Sequence, residues 1–184
     1  MRSMLAVTLL LAACGRTEPH AQPMQPATLC QAVMGTPQVK ELAVWPSGTC
    51  LDITYDAGAA EHAQSLYAAL LEWASAPGTW LCFNPPMEGA PAARGVHVRG
   101  GGAPQLALVT LDYRGRELLR SEVVFSDDFT LTHGVYLHEA GKLLGFQRTS
   151  DVESVLNAWT PDDVLPMLSE ADLQSVAAVY PACR

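Results

Sequence analysis

The sequence contains no Gly-x-Ser-x-Gly elbow and no convincing Cys–His nucleophile pair, so serine or cysteine hydrolysis has no carrier here. Gly100-Gly101-Gly102 lacks the Lys and Ser/Thr that a phosphate loop needs, and no helical pattern follows it. It reads as a plain loop. Basic residues are few: 11 Lys and Arg stand against 19 Asp and Glu, for a net charge of −8. They form no cluster, and that balance excludes a nucleic-acid partner. There is no internal repeat. Beyond the first residues, no apolar run is long enough to cross a bilayer as a helix.

What is present begins with an export signal over residues 1–13. Arg2 gives the positive start, and Met4 to Ala13 give an apolar run too short to span a membrane. It ends in Leu11-Ala12-Ala13-Cys14, similar to a bacterial lipobox, where Cys14 is acylated and becomes the first residue. Several acyl chains on one Cys anchor far better than one. Gly15 carries no acidic retention signal, so the expected location is the cell envelope of a Gram-negative source. There the chain is lipid-anchored, in the outer membrane, facing the periplasm or the exterior. Residues 14–28, with Pro19, Pro23 and Pro26, read as an extended tether. Removal of Arg2 with the signal moves the charge from −8 to about −9. Residues 29–184, about 155 of them, suit one domain with one core.

Apart from Cys14, the cysteines are Cys30, Cys50, Cys82 and Cys183. In an exported chain they predict two disulfides with three possible pairings. The favoured pairing is Cys30–Cys50 as a local clasp and Cys82–Cys183 tying the C-terminus to the sheet. Spacing alone does not fix it.

Leu51, Ile53 and Tyr55 alternate with polar residues and predict a strand. Ala63, Leu66, Tyr67, Leu70 and Trp73 recur at helical spacing between Ala59 and Ala76, and Pro77-Gly78 ends that helix. Short strands are expected at Trp80 to Phe83 and Gly95 to Arg99. Gln105 to Asp112 and Glu117 to Phe125 flank Tyr113-Arg114-Gly115-Arg116 and predict a hairpin. Thr132 is positioned to cap a helix with Val135, Leu137, Leu143 and Leu144 on its buried side, and Gly145 to end it. Ser169 and Asp172 form a capping pair ahead of Leu173, Val176 and Tyr180.

The chemistry concentrates in His138-Glu139-Ala140-Gly141-Lys142-Leu143-Leu144-Gly145. In His-Glu-x-x-His, two imidazoles four residues apart on one helical face share a zinc, and the Glu is general base on its water. Lys142 occupies the second ligand position, and a protonated ammonium has no lone pair to give a metal. Arg148 falls where the third His of the longer motif belongs. Ser154-Val155-Leu156 follows, then Pro161-Asp162-Asp163, then Leu168-Ser169-Glu170-Ala171-Asp172-Leu173 running to Tyr180.

From His138 to Tyr180 the chain resembles the metzincin zinc metalloproteases, in particular the matrixin branch, with a degenerate zinc motif. The resemblance implies an α+β, zincin-type domain: a twisted, mostly parallel sheet, two long helices and a small C-terminal helical part. It implies that Leu156 stands where a Met forms the turn beneath the metal. His138 is then the only retained metal ligand, and Glu139 the general base if the site is active.

One ligand out of three leaves zinc weakly held, so the expected reading is an inactive, membrane-anchored pseudoprotease with no cofactor. An active zinc endopeptidase is the alternative, drawing ligands such as His97 or His133 from outside the motif. A third reading is a non-enzymatic envelope or peptide-binding lipoprotein. Two local expectations follow. The Lys142 ammonium or the Arg148 guanidinium should lie near Glu139 in place of the ion. An extended peptide or protein segment should be able to add to the sheet edge along the cleft.

Overall fold

The structure, a computed structural model, describes residues 41–48, 50–157 and 165–182. The signal and tether, with Cys14 and Cys30, lie outside the described residues, as do Pro161-Asp162-Asp163 and Cys183. In chain order the elements are β1 (Asp52–Tyr55), α1 (Ala60–Ala74), β2 (Met87–Glu88), β3 (Gly95–Gly100), β4 (Ala107–Arg114), β5 (Glu117–Phe125) and α2 (His133–Leu143). A 3-10 turn (Val155–Asn157) and α3 (Glu170–Val179) complete the set. This is an α+β domain with two long helices and a small C-terminal helical part.

The strands form one sheet in the order β2-β1-β3-β5-β4. All neighbouring pairs are parallel except the β4–β5 hairpin. Register follows from which side chains need burial. Ile53 is opposite Val96, and Val98 is opposite Val123. All four are buried. The intervening row, with Arg99 and Glu122, turns to the other face and carries cross-strand ion pairs. The hairpin closes through Gly115-Arg116, since Arg114 pairs Glu117, with Gly115 at φ 63° as a two-residue turn of this kind requires.

Helix α1 buries Ala63, Leu66, Ala69, Leu70 and Trp73, the apolar stripe read from the sequence, with Tyr67 half-buried. Its Trp73 indole donates to the Leu137 carbonyl of α2 at 2.9 Å, joining the two long helices. Residues 80–83 are extended but not a strand. Leu51 bridges Phe83, and Trp80 N–H donates to Tyr180 O at 3.0 Å, so the segment divides its bonds between β1 and the C-terminal tail. The ladder strand at this edge is β2, which follows Pro85-Pro86 and carries no periodic pattern.

The expected disulfide pairing is corrected. Cys50 is bonded to Cys82, with Cα atoms 4.4 Å apart. The reason is the parallel bridge between the next residues, Leu51 and Phe83, with Leu51 N–H donating to Cys82 O at 2.8 Å. That bridge places the two cysteines side by side at the head of β1. Since Cys50 and Cys82 are both taken, neither Cys30–Cys50 nor Cys82–Cys183 can form.

Candidate active site

Helix α2 carries the motif, and its boundaries explain how firmly it is held. Thr132 is the N-cap residue with extended backbone, but its hydroxyl makes no capping bond; only its carbonyl serves, accepting from Val135 N–H at 3.1 Å. The other end is better bonded. Gly145 has φ 86°, which a side chain would strain, and Ala43 O leaves no room for a Cβ there. Gly145 N–H donates to Lys142 O at 2.8 Å and Phe146 N–H to Gly141 O at 3.1 Å, the paired bonds of a Schellman ending. Two further carbonyls, orphaned in any helix end, find side-chain donors. The Trp45 indole reaches Leu143 O at 3.0 Å, and the Tyr180 hydroxyl reaches Leu144 O at 2.5 Å. The residues before β1 and the last helix thus close on the same turn.

His138 is buried, and its Nδ1–H donates to Val155 O at 2.8 Å. A carbonyl only accepts, so the proton is on Nδ1 and the lone pair on Nε2. Burial lowers the His138 pKa below its ordinary value, and the nearby Lys142 and Arg148 cations push the same way. Glu139 and the Val155 carbonyl oppose this without reversing it. The imidazole is neutral.

Glu139 is also buried, and the Lys142 Nζ lies 2.6 Å from its Oε2. The approach is too oblique for a hydrogen bond, and Oε2 has no hydrogen-bond partner at all. The contact is therefore a direct charge pair one helical turn apart (i, i+3). The charge expectation holds for Lys142. A general base needs an oxygen open to water, and the ammonium covers this one.

These residues do not fit zinc. The motif positions offer one imidazole, one ammonium and one guanidinium, and only the first is a donor to a metal. Among the described residues, no three His, Cys, Asp or Glu side chains come together as a metal-binding group. The two substitutes considered from sequence, His97 and His133, are bonded elsewhere. His97 hydrogen-bonds Thr54 Oγ1 at 2.9 Å and Asp56 Oδ1 at 3.1 Å on the sheet face turned from the helices. His133 Nε2 is 2.6 Å from Glu72 Oε1. Asp151 accepts from Glu153 N–H at 3.0 Å within its own turn.

Beneath His138 is the Ser154-Val155-Leu156 turn. Leu156 is fully buried, and one methyl would come within 2.7 Å of any Cβ added at Gly141. Helix and turn are thus in contact at the position the resemblance assigns to the Met. The turn is held by Asp172, which sequence reading treats only as a capping residue. The cap is real: Ser169 Oγ accepts from Asp172 N–H at 3.1 Å, and Asp172 Oδ2 accepts from Ser169 N–H at 3.0 Å. The same carboxylate, fully buried, also accepts from Ser154 Oγ at 2.5 Å and Val155 N–H at 3.2 Å. Val155 then bonds Asp172 through its N–H and His138 through its carbonyl. One peptide unit relays the position of α3 to the imidazole. The Ser-x-x-Asp spacing signals the cap, but nothing in it announces the second pair of donors.

No family model matches the chain, and no curated protein matches it. In structure it is similar to high choriolytic enzyme 1, a hatching-enzyme zinc-protease from the medaka fish Oryzias latipes. The likeness covers 77% of this chain and 96% of that one, with 12% identity and a TM-score of 0.49.

Proposed function

We propose that the chain is a membrane-anchored, metzincin-like protein of the matrixin metallopeptidase type in which an internal charge pair has replaced the zinc chemistry. The observation that carries this is the Lys142 ammonium 2.6 Å from the Glu139 carboxylate. In a zinc site the Glu faces a cation-bound water. Here its charge is balanced by the side chain at a ligand position, so the helix needs no metal to bury it. His138 keeps the neutral tautomer with Nε2 unprotonated, which a ligand requires, but has no second donor to work with.

The role left to such a domain is holding peptide. Strand β4 lies at the end of the sheet, bonded to β5 alone, and packs beside α2. Its outer row of N–H and C=O groups suits an extended segment added as a further strand. Leu108 and Tyr113 are exposed on it and offer apolar contacts to alternate side chains of such a peptide. Lipidation at Cys14, with residues 14–28 as tether, places this edge at an envelope surface. No helix among the described residues is long and apolar enough to cross a membrane.

The test is metal content and cleavage on the mature lipoprotein extracted in detergent. Zinc well below one equivalent, and no chelator-sensitive peptide cleavage, is the expected result. Stoichiometric zinc with cleavage that a chelator abolishes overturns the reading. The double change Lys142→His with Arg148→His is the companion experiment. It should raise zinc affinity steeply, and each single change only slightly, because ligands on one ion act together. A folded double variant that takes up no zinc removes the metzincin comparison itself.

A further inference from the structure

The face of the sheet turned from the helices carries a hollow of about 210 Å³ beside strand β4. Its floor is one cross-strand row: His97 on β3, Glu122 on β5 and Thr110 on β4. Arg120 and Asp112 bound it in the next row, and Pro91 bounds it from the loop before β3. Gly95 is the β3 member of that second row and adds no side chain, which leaves the space open. We infer that this hollow takes the ammonium of a lysine side chain on an extended peptide held along β4.

The polar groups around the hollow select that ligand. His97 is 4% exposed, and Thr54 and Asp56 engage both its ring nitrogens, so it offers only ring carbons. Arg99 bonds Glu122 Oε1 at 3.3 Å, and Arg120 bonds Asp112 Oδ2 at 3.1 Å. Each carboxylate keeps its second oxygen without a partner among the described residues, and Thr110 is exposed with its hydroxyl. Those are three acceptors around one space, and a primary ammonium carries three N–H donors on one atom. The carboxylates of Asp112 and Glu122 against the one guanidinium of Arg120 leave the lining with an excess of negative charge. A metal ion suits it less, because the described residues bring no three His, Cys, Asp or Glu side chains together as donors.

The hydrogen bonds of β4 say how a peptide delivers the lysine. Ser126 N–H donates to Leu106 O at 3.0 Å, and the same register sets Leu108 opposite Val124 and Thr110 opposite Glu122. In an antiparallel pair such bonds recur at every second residue, so Leu108 and Thr110 bond toward β5. Val109 and Leu111 then turn their N–H and C=O groups outward, to an added strand. A peptide residue opposite Thr110 has its side chain on the face of the hollow. If that side chain is long, it reaches the diagonal neighbour Asp112 and, past Thr110, Glu122. The peptide residue two places away meets the exposed Leu108. The segment so selected has a lysine with an apolar residue two positions from it.

This inference rests on the peptide-holding reading, and the experiment separates the two. A fluorescent peptide of threonines, with one central lysine and a leucine two positions to either side of it, is titrated against the full chain in detergent. Counterparts carry norleucine or glutamate in place of the lysine. The lysine peptide should bind about fivefold more tightly than the norleucine one, and the glutamate peptide weakest. The lysine advantage should shrink as salt rises. The double variant Asp112→Asn with Glu122→Gln, shown to be folded by urea denaturation, should bind the lysine and norleucine peptides alike. Equal binding of those two peptides by the unaltered chain overturns the inference alone. So does a lysine advantage that survives in the folded double variant. No binding of any of the three peptides overturns the inference and the peptide-holding reading together.

Discussion

Glu139 and Lys142 are a pair in which removing one partner does more harm than removing both. The carboxylate is 7% exposed and the lysine 25%, so this is neither a surface salt bridge nor a fully buried one. Lys142→Ala leaves a buried charge uncompensated and should cost about 1–3 kcal/mol, below the loss for a fully buried pair because water reaches the lysine side. Adding Glu139→Gln should recover most of it. Urea denaturation of the two single variants and the double gives the coupling, and simple additivity would show that the pair does not act as one. His138 makes a related prediction. Its folded pKa lies below the unfolded value, so its contribution is complete above the ordinary histidine value of 6.5. As pH falls below that value the unfolded chain takes up a proton that the folded imidazole refuses. Stability is then lost at up to about 1.4 kcal/mol per pH unit until the folded group titrates. His138→Asn should flatten the part of the profile that lies below the ordinary histidine value of 6.5; an unchanged slope would mean another group causes it.

At the level of elements, the contact between α2, α1 and the turn under His138 depends on Gly141. A Cβ there meets Leu156 at 2.7 Å and the Trp73 ring at 2.8 Å. Gly→Ala inside a helix ordinarily gains about 0.5–1 kcal/mol. Overpacking against two buried groups costs about 1–3 kcal/mol. The clash wins, and Gly141→Ala should lower stability by about 1 kcal/mol or more, as read from the urea midpoint. A stabilised variant would mean that the helix can move off the turn. Asp172 makes the other element-level prediction, since it caps α3 and holds the Ser154-Val155-Leu156 turn at once. Asp172→Ala strands Ser154 Oγ, Val155 N–H and Ser169 N–H together, and should cost about 3 kcal/mol or more. The turn also sets the His138 ring through Val155, so the imidazole resonances should shift in the same variant while the protein stays folded. Loss of stability with an unmoved His138 signal would limit Asp172 to capping.

For the whole molecule, the Cys50–Cys82 bond closes a loop with a sequence separation of 32. The chain-entropy relation assigns such a loop about 3–4 kcal/mol. Cys50→Ser with Cys82→Ser should lower the urea midpoint accordingly without changing the fold. A loss below about 1 kcal/mol would mean that the Leu51–Phe83 bridge holds the β1 head unaided. The unit so held is one layer of sheet with its helices against a shared core that reaches from Trp45 to Tyr180. Contacts at the end of α2 tie both ends of the domain to the motif helix.

Periodicity and local chemistry were enough for much of this. The α1 stripe, the hairpin around Gly115, the ending of α2 at Gly145 and the Ser169–Asp172 cap each depend on residues a few positions apart, where sequence distance and spatial distance agree. That Lys142 and Arg148 offer a metal no donor was likewise fixed by residue type, because no fold gives a protonated ammonium or guanidinium a lone pair to share. The tertiary structure alone decided what requires distant segments to meet. It joined Cys50 to Cys82, because a bridge across β1 outweighs nearness in the chain. It made residues 80–83 a connector, since their bonds are divided between β1 and the tail. It turned Asp172 from a cap into the support of the turn beneath His138, because a buried carboxylate accepts more hydrogen bonds than one helix end supplies. Spacing reports which residues share a face, whereas only packing reports what that face meets.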